Sequence, residues 1–248
     1  MSDKGRHHPQ TILSAPQLAE PAWMTRRSVC VFCGSSQGND PKFSAGAIEL
    51  GIELARENLG LVYGGGSLGL MGVVARAAIA AGGHVVGIIP SSLCARERPP
   101  DNLHELVITT SMHTRKQAMF DRSSAFVALP GGVGTLDETV EQMTWMKIGH
   151  HQKPIVFLNV DGYWDPVLAM FDRMVACNFV AGEVGVEVVR YASEVIPAIK
   201  AYWDRETRES VGIAPALTAM IEGMVERGED PQAELAFAIP AWTAAGPE

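Results

Sequence analysis

The chain has 248 residues, 47% hydrophobic and 19% charged, so it can bury the core of one domain of ordinary size with appended tails. Its formal net charge of -8 argues against a general nucleic-acid binder, which would carry a basic stripe. No apolar run reaches the roughly 18–20 residues of a membrane span, and residues 1–10 lack the apolar stretch of a signal peptide. We therefore expect a soluble, cytoplasmic protein with no nucleic-acid or membrane partner.

Three segments are predicted along the chain. Residues 1–27 contain three prolines among polar residues and show no sustained periodicity, which is typical of a flexible leader. Residues 28–204 alternate short apolar runs with helical patterns and are predicted to fold as one domain. In residues 205–248 the pattern degrades, and we predict one helix over 205–225 followed by an irregular tail.

The alternation within the central segment predicts the fold class. Strands are predicted at 29–33, 61–63, 84–89, 106–109, 125–129, 154–158 and 186–189. Helices are predicted at 41–58, 69–82, 112–124, 135–149, 163–178 and 193–203. Continuous apolar runs are typical of strands buried on both faces of a parallel sheet. We predict an α/β fold: a doubly wound, mostly parallel, Rossmann-like sheet flanked by helices in three α/β/α layers.

Four cysteines raise the question of redox or zinc chemistry, because Cys30 and Cys33 form a C-x-x-C. Both lie in a predicted strand, however, and positions three apart on a strand point to opposite faces. No second Cys or His pair has convincing zinc spacing. We predict reduced cysteines buried in the core and no metal site.

Glycine-rich turns follow three predicted strands, at residues 33–36, 64–72 and 130–135. Each turn leads into a helix, and helix N-termini at the carboxyl ends of parallel strands attract anions. A single turn is a weak signal because sharp turns need glycine for steric reasons alone, but three favour a phosphate-bearing ligand. Ser35 and Gly65 are candidate binding residues in the first two turns. None matches a dinucleotide fingerprint or a P-loop, which disfavours NAD hydride chemistry and NTP hydrolysis.

The most informative stretch joins two motifs. Met-His-x-Arg-Lys at 112–116 opens one helix with two cations, and Pro-Gly-Gly-x-Gly-Thr-x-x-Glu at 130–138 places Glu138 in the first turn of another. Local patterns alone also fit a helix-capping acid and a solvated basic face. The paired motifs resemble the Lonely Guy family of cytokinin riboside 5′-monophosphate phosphoribohydrolases, long mislabelled as lysine decarboxylases. The resemblance runs from residue 29 to about 203 and includes 64–72, Thr144-Trp145, Lys153-Pro154 and 158–163.

The resemblance implies a nucleotide-binding catalytic domain over 28–204 and a homodimer. It also implies hydrolysis of the N-glycosidic bond of a purine nucleoside 5′-monophosphate in cytokinin biosynthesis, with no metal or other cofactor. The family's catalytic pair corresponds to Arg115 and Glu138. Its nucleotide-binding positions correspond to Glu97, Lys116, Gly132, Val133, Gly134, Thr135, Leu136, Asp137 and Thr144. Glu97 stands in Ala-Arg-Glu-Arg-Pro-Pro, where the family usually has Pro-Arg-Glu and a different loop.

A mechanism follows as a hypothesis. The turn from Gly131 to Thr135 holds the 5′-phosphate with backbone N–H groups and the Thr135 hydroxyl. Glu138 stabilises positive charge on the ribose and activates water, while Arg115 anchors phosphate or ribose oxygens and keeps Glu138 ionised. Glu141, on the same helix face, is expected to be solvated or ion-paired. The predicted helix over 135–149 carries too many apolar residues for one face, which indicates burial against a partner.

Three alternatives stay open at this point. A non-catalytic nucleotide or molybdopterin-cofactor binding protein of the same fold shares the glycine turns and does not need a carboxylate at position 138. A pyridoxal-phosphate decarboxylase needs a Schiff-base lysine with a pyridinium-pairing acid, and neither Lys116 nor Lys153 stands in such a context. An NAD-linked dehydrogenase lacks its fingerprint. AMP and N6-prenylated AMP are not distinguished as substrates.

Overall fold

The computed structural model describes residues 26–207. Seven strands are present in this part of the chain: β1 (Ser28–Phe32), β2 (Gly60–Tyr63), β3 (Val85–Pro90), β4 (Glu105–Thr109), β5 (Ala125–Ala128), β6 (Ile155–Leu158) and β7 (Glu187–Val189). The helices are α1 (Pro41–Arg56), α2 (Gly69–Ala80), α3 (Ser91–Glu97), α4 (Met112–Asp121), α5 (Val133–Lys147), α6 (Asp165–Ala176) and α7 (192–207), with a 3-10 turn at Val160–Gly162.

The strands form one parallel sheet in the order β4-β3-β2-β1-β5-β6-β7, which confirms the predicted doubly wound fold. One buried cluster joins the sheet to residues of α1, α2 and α7, and the other joins it to residues of α4, α5 and α6. The sheet is therefore the middle of three layers. The chain winds outward from β1 to β4 and then returns to place β5 on the other side of β1, so the winding direction reverses between β1 and β5.

Strand β1 shows why the apolar runs are continuous. Val29 and Val31 belong to one buried cluster, whereas Cys30 and Phe32 belong to the other, because successive side chains point to opposite faces. Cys33, just beyond the strand, returns to the first cluster. Both thiols of the C-x-x-C are free and buried, which confirms the prediction of core cysteines. Burial raises the pKa of each, so the thiols stay protonated and unreactive.

Two elements differ from the predictions. Helix α3 was not predicted because it is short, buries no residue and has no side-chain cap at its N-terminus, where Pro90 stands. Helix α7, predicted to end at 203, continues to 207, where the described residues end. The leader predicted at 1–27 and the helix and tail predicted beyond 204 lie almost wholly outside the described residues. None of the helices within 26–207 is both long and apolar enough to cross a lipid bilayer.

A buried histidine fastens α5 to the segment that enters β6. One ring nitrogen of His151, Nε2, lies 3.1 Å from the Gln142 carbonyl oxygen, and Nδ1 accepts the Lys153 N–H at 3.0 Å. The ring packs beside Phe120 and Phe126. An Nδ1 that accepts cannot carry a proton, so the ring is neutral with its proton on Nε2. Burial is the main cause that lowers the pKa of His151.

We expect this histidine to make the protein sensitive to acid. The pKa of His151 is lower in the folded protein than in the unfolded chain. Below about pH 6.5 the unfolded chain therefore binds a proton at this position that the folded protein does not bind. The free energy of unfolding consequently falls as the pH drops. His151→Gln should flatten this loss, leaving the part due to His84, whose pKa burial also lowers. The check is the urea midpoint measured at about pH 7 and about pH 5. His113→Gln, at an exposed ring, is the control. If the urea midpoint falls between these two pH values by the same amount in wild type and in His151→Gln, the assignment is contradicted.

Candidate active site

The candidate site lies where the winding direction reverses, at the carboxyl ends of β2, β1 and β5. The Gly34 N–H after β1 donates to the Pro130 carbonyl after β5 at 3.1 Å. The Leu70 N–H, in the first turn of α2, donates to the Gly34 carbonyl at 3.0 Å. The three glycine turns predicted from the sequence therefore meet. Open α/β sheets bind ligands in the crevice at such a switch point.

The glycines of these turns serve different purposes. A Cβ added to Gly131 would lie 2.1 Å from the Thr135 hydroxyl oxygen, so close packing alone requires glycine there. Gly65 has a φ of +77° and packs against Ile89 of β3, which also makes it a structural glycine. A Cβ on Gly132 or Gly134 would meet nothing within 4 Å. At these two positions the protein itself does not require glycine, which leaves room for a ligand to approach the backbone.

A cavity of about 300 Å³, the main cavity of the candidate site, opens beside the third turn. Its lining residues are Cys33, Gly34, Ser35, Met71, Glu97, Met112, Arg115, Gly132, Val133, Gly134, Thr135, Asp137 and Glu138. A second cavity of about 250 Å³ also borders Gly34, Ser35 and Gly132 and is walled by Phe43 and Tyr163. The two cavities therefore adjoin along the backbone of the first and third turns.

Most of the predicted site residues border the main cavity, but five do not. Gly131 borders the adjoining cavity, and Gly65 packs beneath the site against β3. Lys116 lies at the rim, outside the lining. Leu136 and Thr144 face a separate apolar groove between α5 and α6, where the Thr144 hydroxyl donates to the Val140 carbonyl at 2.8 Å. The sequence motif thus covers two surfaces of α5.

Arg115 is buried and held by strand ends rather than by its acidic neighbour. Its Nε donates to the Ile88 carbonyl of β3 at 3.2 Å, and Nη2 donates to the Gly64 carbonyl after β2 at 3.3 Å. Its Nη1 lies 3.6 Å from Oε1 of Glu138, too far for a good hydrogen bond. The guanidinium is therefore fixed by the sheet, with one edge turned towards Glu138.

The Glu138 carboxylate is buried at the cavity wall, and the residue is 8% exposed. Among the described residues no hydrogen-bond donor reaches it, and it does not cap α5. Burial raises the pKa of Glu138, and the nearby Arg115 charge opposes this rise without cancelling it. The Arg115 charge thus favours the ionised form of Glu138, whereas desolvation, the larger effect, disfavours it. A carboxyl group with a raised pKa in a cleft is suited to accept a proton.

Lys116 joins α4 to α5 through two carboxylates. Its Nζ lies 2.6 Å from the Glu141 carboxylate and 3.3 Å from that of Asp137. Glu141 is thus ion-paired, as the sequence predicted. These two ion pairs hold α4 and α5, the helices that carry the motifs, together at the rim of the cavity.

Glu97 brings a further carboxylate to the wall of the main cavity. Its backbone carbonyl accepts the Ser67 N–H at 3.0 Å, which ties the end of α3 to the second glycine turn. Its Oε2 is buried and has no hydrogen-bond partner within the described residues. A buried acceptor without a donor is costly unless a ligand supplies one. Glu97 is therefore placed to accept a hydrogen bond from a bound molecule.

Comparison with known proteins places this chain in a family. A family model described as possible lysine decarboxylase matches residues 71–201. A cytokinin riboside 5′-monophosphate phosphoribohydrolase of Arabidopsis thaliana is 40% identical over 203 residues, which cover 76% of this chain and 94% of that protein. A second Arabidopsis protein of that name is 44% identical over 194 residues, or 73% and 90% of the two chains. The chain belongs to the Lonely Guy family.

Solved structures resemble this Lonely Guy chain in fold. The molybdenum cofactor binding protein of Rippkaea orientalis matches with a TM-score of 0.56 at 23% identity, covering 71% of this chain and 97% of that one. The molybdenum cofactor carrier protein of Chlamydomonas reinhardtii matches with a TM-score of 0.56 at 22% identity, covering 73% and 99%. At such identities the likeness shows the fold alone.

The lysines of this Lonely Guy chain give no support to the decarboxylase description of its family model. Lys116 is engaged by two carboxylates, as described above. Lys153 donates to the Phe120 carbonyl at 2.8 Å and lies 3.6 Å from the centre of that ring. Of the residues described here that line the main cavity, none is a lysine. A Schiff-base role therefore has no candidate at this site.

Sequence reasoning singled out none of the following cavity residues as a ligand-binding residue: Cys33, Gly34, Met71, Met112, Phe43 and Tyr163. At the site, Cys33, Gly34 and Met71 were predicted only as members of glycine turns. Met71 and Met112 stand inside motifs that define the Lonely Guy resemblance, and that position was a usable signal. Cys33 directly follows β1 and begins a glycine turn, which also points towards the crevice. Tyr163 likewise ends the family-like stretch at 158–163, but no signal indicated its contact with the third turn, which is distant in sequence.

Proposed function

We propose that this chain hydrolyses the N-glycosidic bond of a purine nucleoside 5′-monophosphate, giving the free base and ribose 5-phosphate. Two Arabidopsis relatives that it matches over most of their length carry the name of that activity. The observation that carries the proposal is the Glu138 carboxylate, which is buried and open to a cavity that the N-terminus of α5 also borders. Within residues 26–207 no hydrogen-bond donor reaches it.

The N-terminus of α5 binds the 5′-phosphate in this proposal. The N–H groups of Val133, Gly134 and Thr135 belong to the first turn and have no partner within the helix. Within the described part of the chain no side chain caps them. The positive end of the helix dipole adds to their attraction for an anion. The space beside Gly132 and Gly134 allows phosphate oxygens to come within hydrogen-bonding distance of the backbone.

Glu138 lies one helical turn beyond this anion site and acts on the ribose. Positive charge builds on the ribose as the bond to the purine lengthens, and the carboxylate stabilises it. The oxygen of a water molecule bonds to C1′ while one of its protons passes to Glu138. The bonding electron pair leaves with the purine, which takes up a proton. Arg115, held by the sheet, sets the charge around Glu138 and offers its remaining edge to substrate oxygens.

Other lining residues set the binding of ribose and base. Glu97 accepts a hydrogen bond from a ribose hydroxyl or from the base, and Ser35 lies at the junction of the two cavities. The sulfur-bearing side chains of Met71 and Met112 give an apolar wall against which a purine ring can pack. This wall suits adenine as well as its N6-prenylated form.

The test is incubation of the purified full-length chain with AMP and, separately, with isopentenyl-AMP, followed by chromatography for free base and ribose 5-phosphate. Adenosine, which lacks the phosphate, is the matched substrate control and should react poorly. Release of base from either nucleotide supports the proposal, and the ratio of the two rates identifies the preferred substrate. Binding of nucleotide without release of base would contradict it and favour a carrier role.

The pH dependence of the reaction is expected to report on Glu138. Its pKa is raised above 4.5 by burial, so kcat/KM should fall as the pH drops through a value above 4.5. Glu141→Gln removes a negative charge that raises this pKa, so the acidic limb should move to lower pH. The titration of the substrate phosphate is common to both proteins. An acidic limb that does not move would assign it to the substrate instead.

We also propose that a second copy of the chain covers the apolar groove between α5 and α6. This groove of about 490 Å³ is lined by Leu136, Val140, Met143, Met170 and Met174 among others. At its edges Ile148 is 73% exposed and Met170 is 53% exposed. Desolvation of such a patch favours association.

The free cysteines are typical of a reducing compartment, and we propose a cytoplasmic location. We also propose that residues 28–204 form the catalytic domain.

Light scattering after size-exclusion chromatography checks the homodimer. The double variant Ile148→Lys with Met170→Lys should shift the chain from dimer to monomer, because two charges would be buried at the interface. Ile48→Lys, on the exposed side of α1 across the sheet, is the matched control and should leave the dimer intact. A wild-type chain that runs as a monomer would contradict the proposal.

A further inference from the structure

Tyr163 reaches the third glycine turn from a distant part of the chain. Its hydroxyl donates to the Gly131 carbonyl at 2.5 Å. The ring packs edge-on against Phe43, with centroids 5.4 Å apart, and against Trp164 at 4.9 Å. The 3-10 turn at Val160–Gly162 directs it there, since this turn contains a residue in the left-handed conformation. The tyrosine is therefore held on three sides.

Two consecutive carbonyl groups of the turn are thus engaged from the side of β1 and the adjoining cavity. The Pro130 carbonyl accepts from the Gly34 N–H, and the Gly131 carbonyl accepts from Tyr163. Within residues 26–207 all peptide bonds are trans, and in a planar trans peptide the C=O and the next N–H point in opposite directions. The N–H of Gly132 is therefore turned away from Tyr163. Gly132 lines both the main cavity and the adjoining cavity that Tyr163 walls. An N–H that is turned away from Tyr163 lies on the side of the main cavity, where it can meet a ligand.

Few other contacts set the direction of this peptide plane. Gly131 packs against Thr135, and the Gly132 carbonyl accepts the Leu136 N–H at 3.1 Å. A Cβ on Gly132 would meet nothing within 4 Å, however, and glycine has wide conformational freedom. Among the described residues the Tyr163 hydroxyl makes the one hydrogen bond to the Gly131 carbonyl. Without this hydrogen bond the peptide plane can rotate, and the Gly132 N–H then changes direction.

We infer that Tyr163 is a positioning residue for phosphate binding. It holds the Gly131–Gly132 peptide in the orientation that presents the Gly132 N–H to the phosphate of the substrate. The inference rests on the proposed function, because it assigns Tyr163 to the phosphate end of that same site. The hydroxyl acts through the backbone and does not touch the reacting atoms.

Tyr163→Phe tests the inference, because it retains the ring packing and removes only the hydroxyl. We expect KM for AMP and Kd for ribose 5-phosphate to rise together by about 10-fold, the effect of losing about one charge-assisted hydrogen bond. The value of kcat and the melting temperature should stay near wild type. Tyr191→Phe, at a 66% exposed ring, is the matched control and should change neither constant.

The readouts separate this inference from the proposed function. Ribose 5-phosphate binding by calorimetry does not depend on turnover, so it tests Tyr163 even if the wild-type chain releases no base from AMP. Equal affinity of wild type and Tyr163→Phe for ribose 5-phosphate would overturn the inference. A fall in kcat with unchanged affinity would also overturn it, since that pattern belongs to a group acting on the reacting atoms.

Discussion

Glu138→Gln is expected to lower kcat for AMP by about 10²- to 10⁴-fold, the usual range for loss of a placed general base. The amide keeps the shape of the side chain but neither accepts the water proton nor carries charge to stabilise the ribose. The fold should be unaffected, because Arg115 is held by the carbonyls of Gly64 and Ile88 and does not depend on the acid. Removal of a buried charge that no hydrogen-bond donor of the described chain satisfies also relieves a desolvation cost.

The measurement is steady-state release of base, with KM and the melting temperature recorded for the same samples. Glu141→Gln is the matched control, since it makes the same chemical change three residues along α5, at an acid paired with Lys116 outside the cavity. It should retain most of the turnover. Turnover by Glu138→Gln close to that of wild type would remove Glu138 from the mechanism.

Gly134→Ala is expected to stabilise the protein and yet weaken phosphate binding. Alanine is favoured over glycine within a helix by up to about 1 kcal/mol, and the added Cβ meets nothing within 4 Å. If the phosphate approaches the backbone here, the same methyl group holds it off. The loss of one or two charge-assisted hydrogen bonds should raise Kd for ribose 5-phosphate roughly 10- to 100-fold.

Gly131→Ala provides the opposite case. Its Cβ would lie 2.1 Å from the Thr135 hydroxyl oxygen and 2.8 Å from the Gly34 nitrogen, so the turn must shift. We expect lower stability together with lost binding. Thermal denaturation and calorimetry on both variants separate a steric block from a damaged turn. Wild-type affinity in Gly134→Ala would show that the phosphate binds elsewhere.

Five strands, β1, β2, β3, β5 and β6, were predictable because all of their residues are buried. The apolar run that predicts 125–129 is observed as β5 at Ala125–Ala128, and its residues are fully buried. Helices with a buried stripe and an end signal were predicted equally well, as in α1, where Asp40 caps the N-terminus and Pro41 follows. Helix α3 has neither a stripe nor a cap, so only the tertiary structure reveals it.

The candidate site was predictable as far as it lies inside contiguous motifs. Arg115 and Glu138 lie within contiguous motifs near the N-termini of α4 and α5, so a motif search finds both. The direction of each side chain is a different matter, because it depends on how α5 docks. Thr144 belongs to the same motif-bearing helix but faces the apolar groove. Tyr163 ends a family-like stretch, but its contact with Gly131 was not predictable, since it requires the 3-10 turn and a hydrogen bond across 32 positions of sequence.

The adjacency of β1 and β5 bears on how the molecule is assembled. Val29 pairs with Ala125, so the two walls of the crevice come from parts of the chain that β2, β3 and β4 separate in sequence. Such a long-range pairing is a slow step in folding. A fragment containing either half of the sheet would contain only one wall of the crevice. A bound nucleotide would therefore contact both halves and stabilise the folded protein. The melting temperature should rise in proportion to the logarithm of the nucleotide concentration.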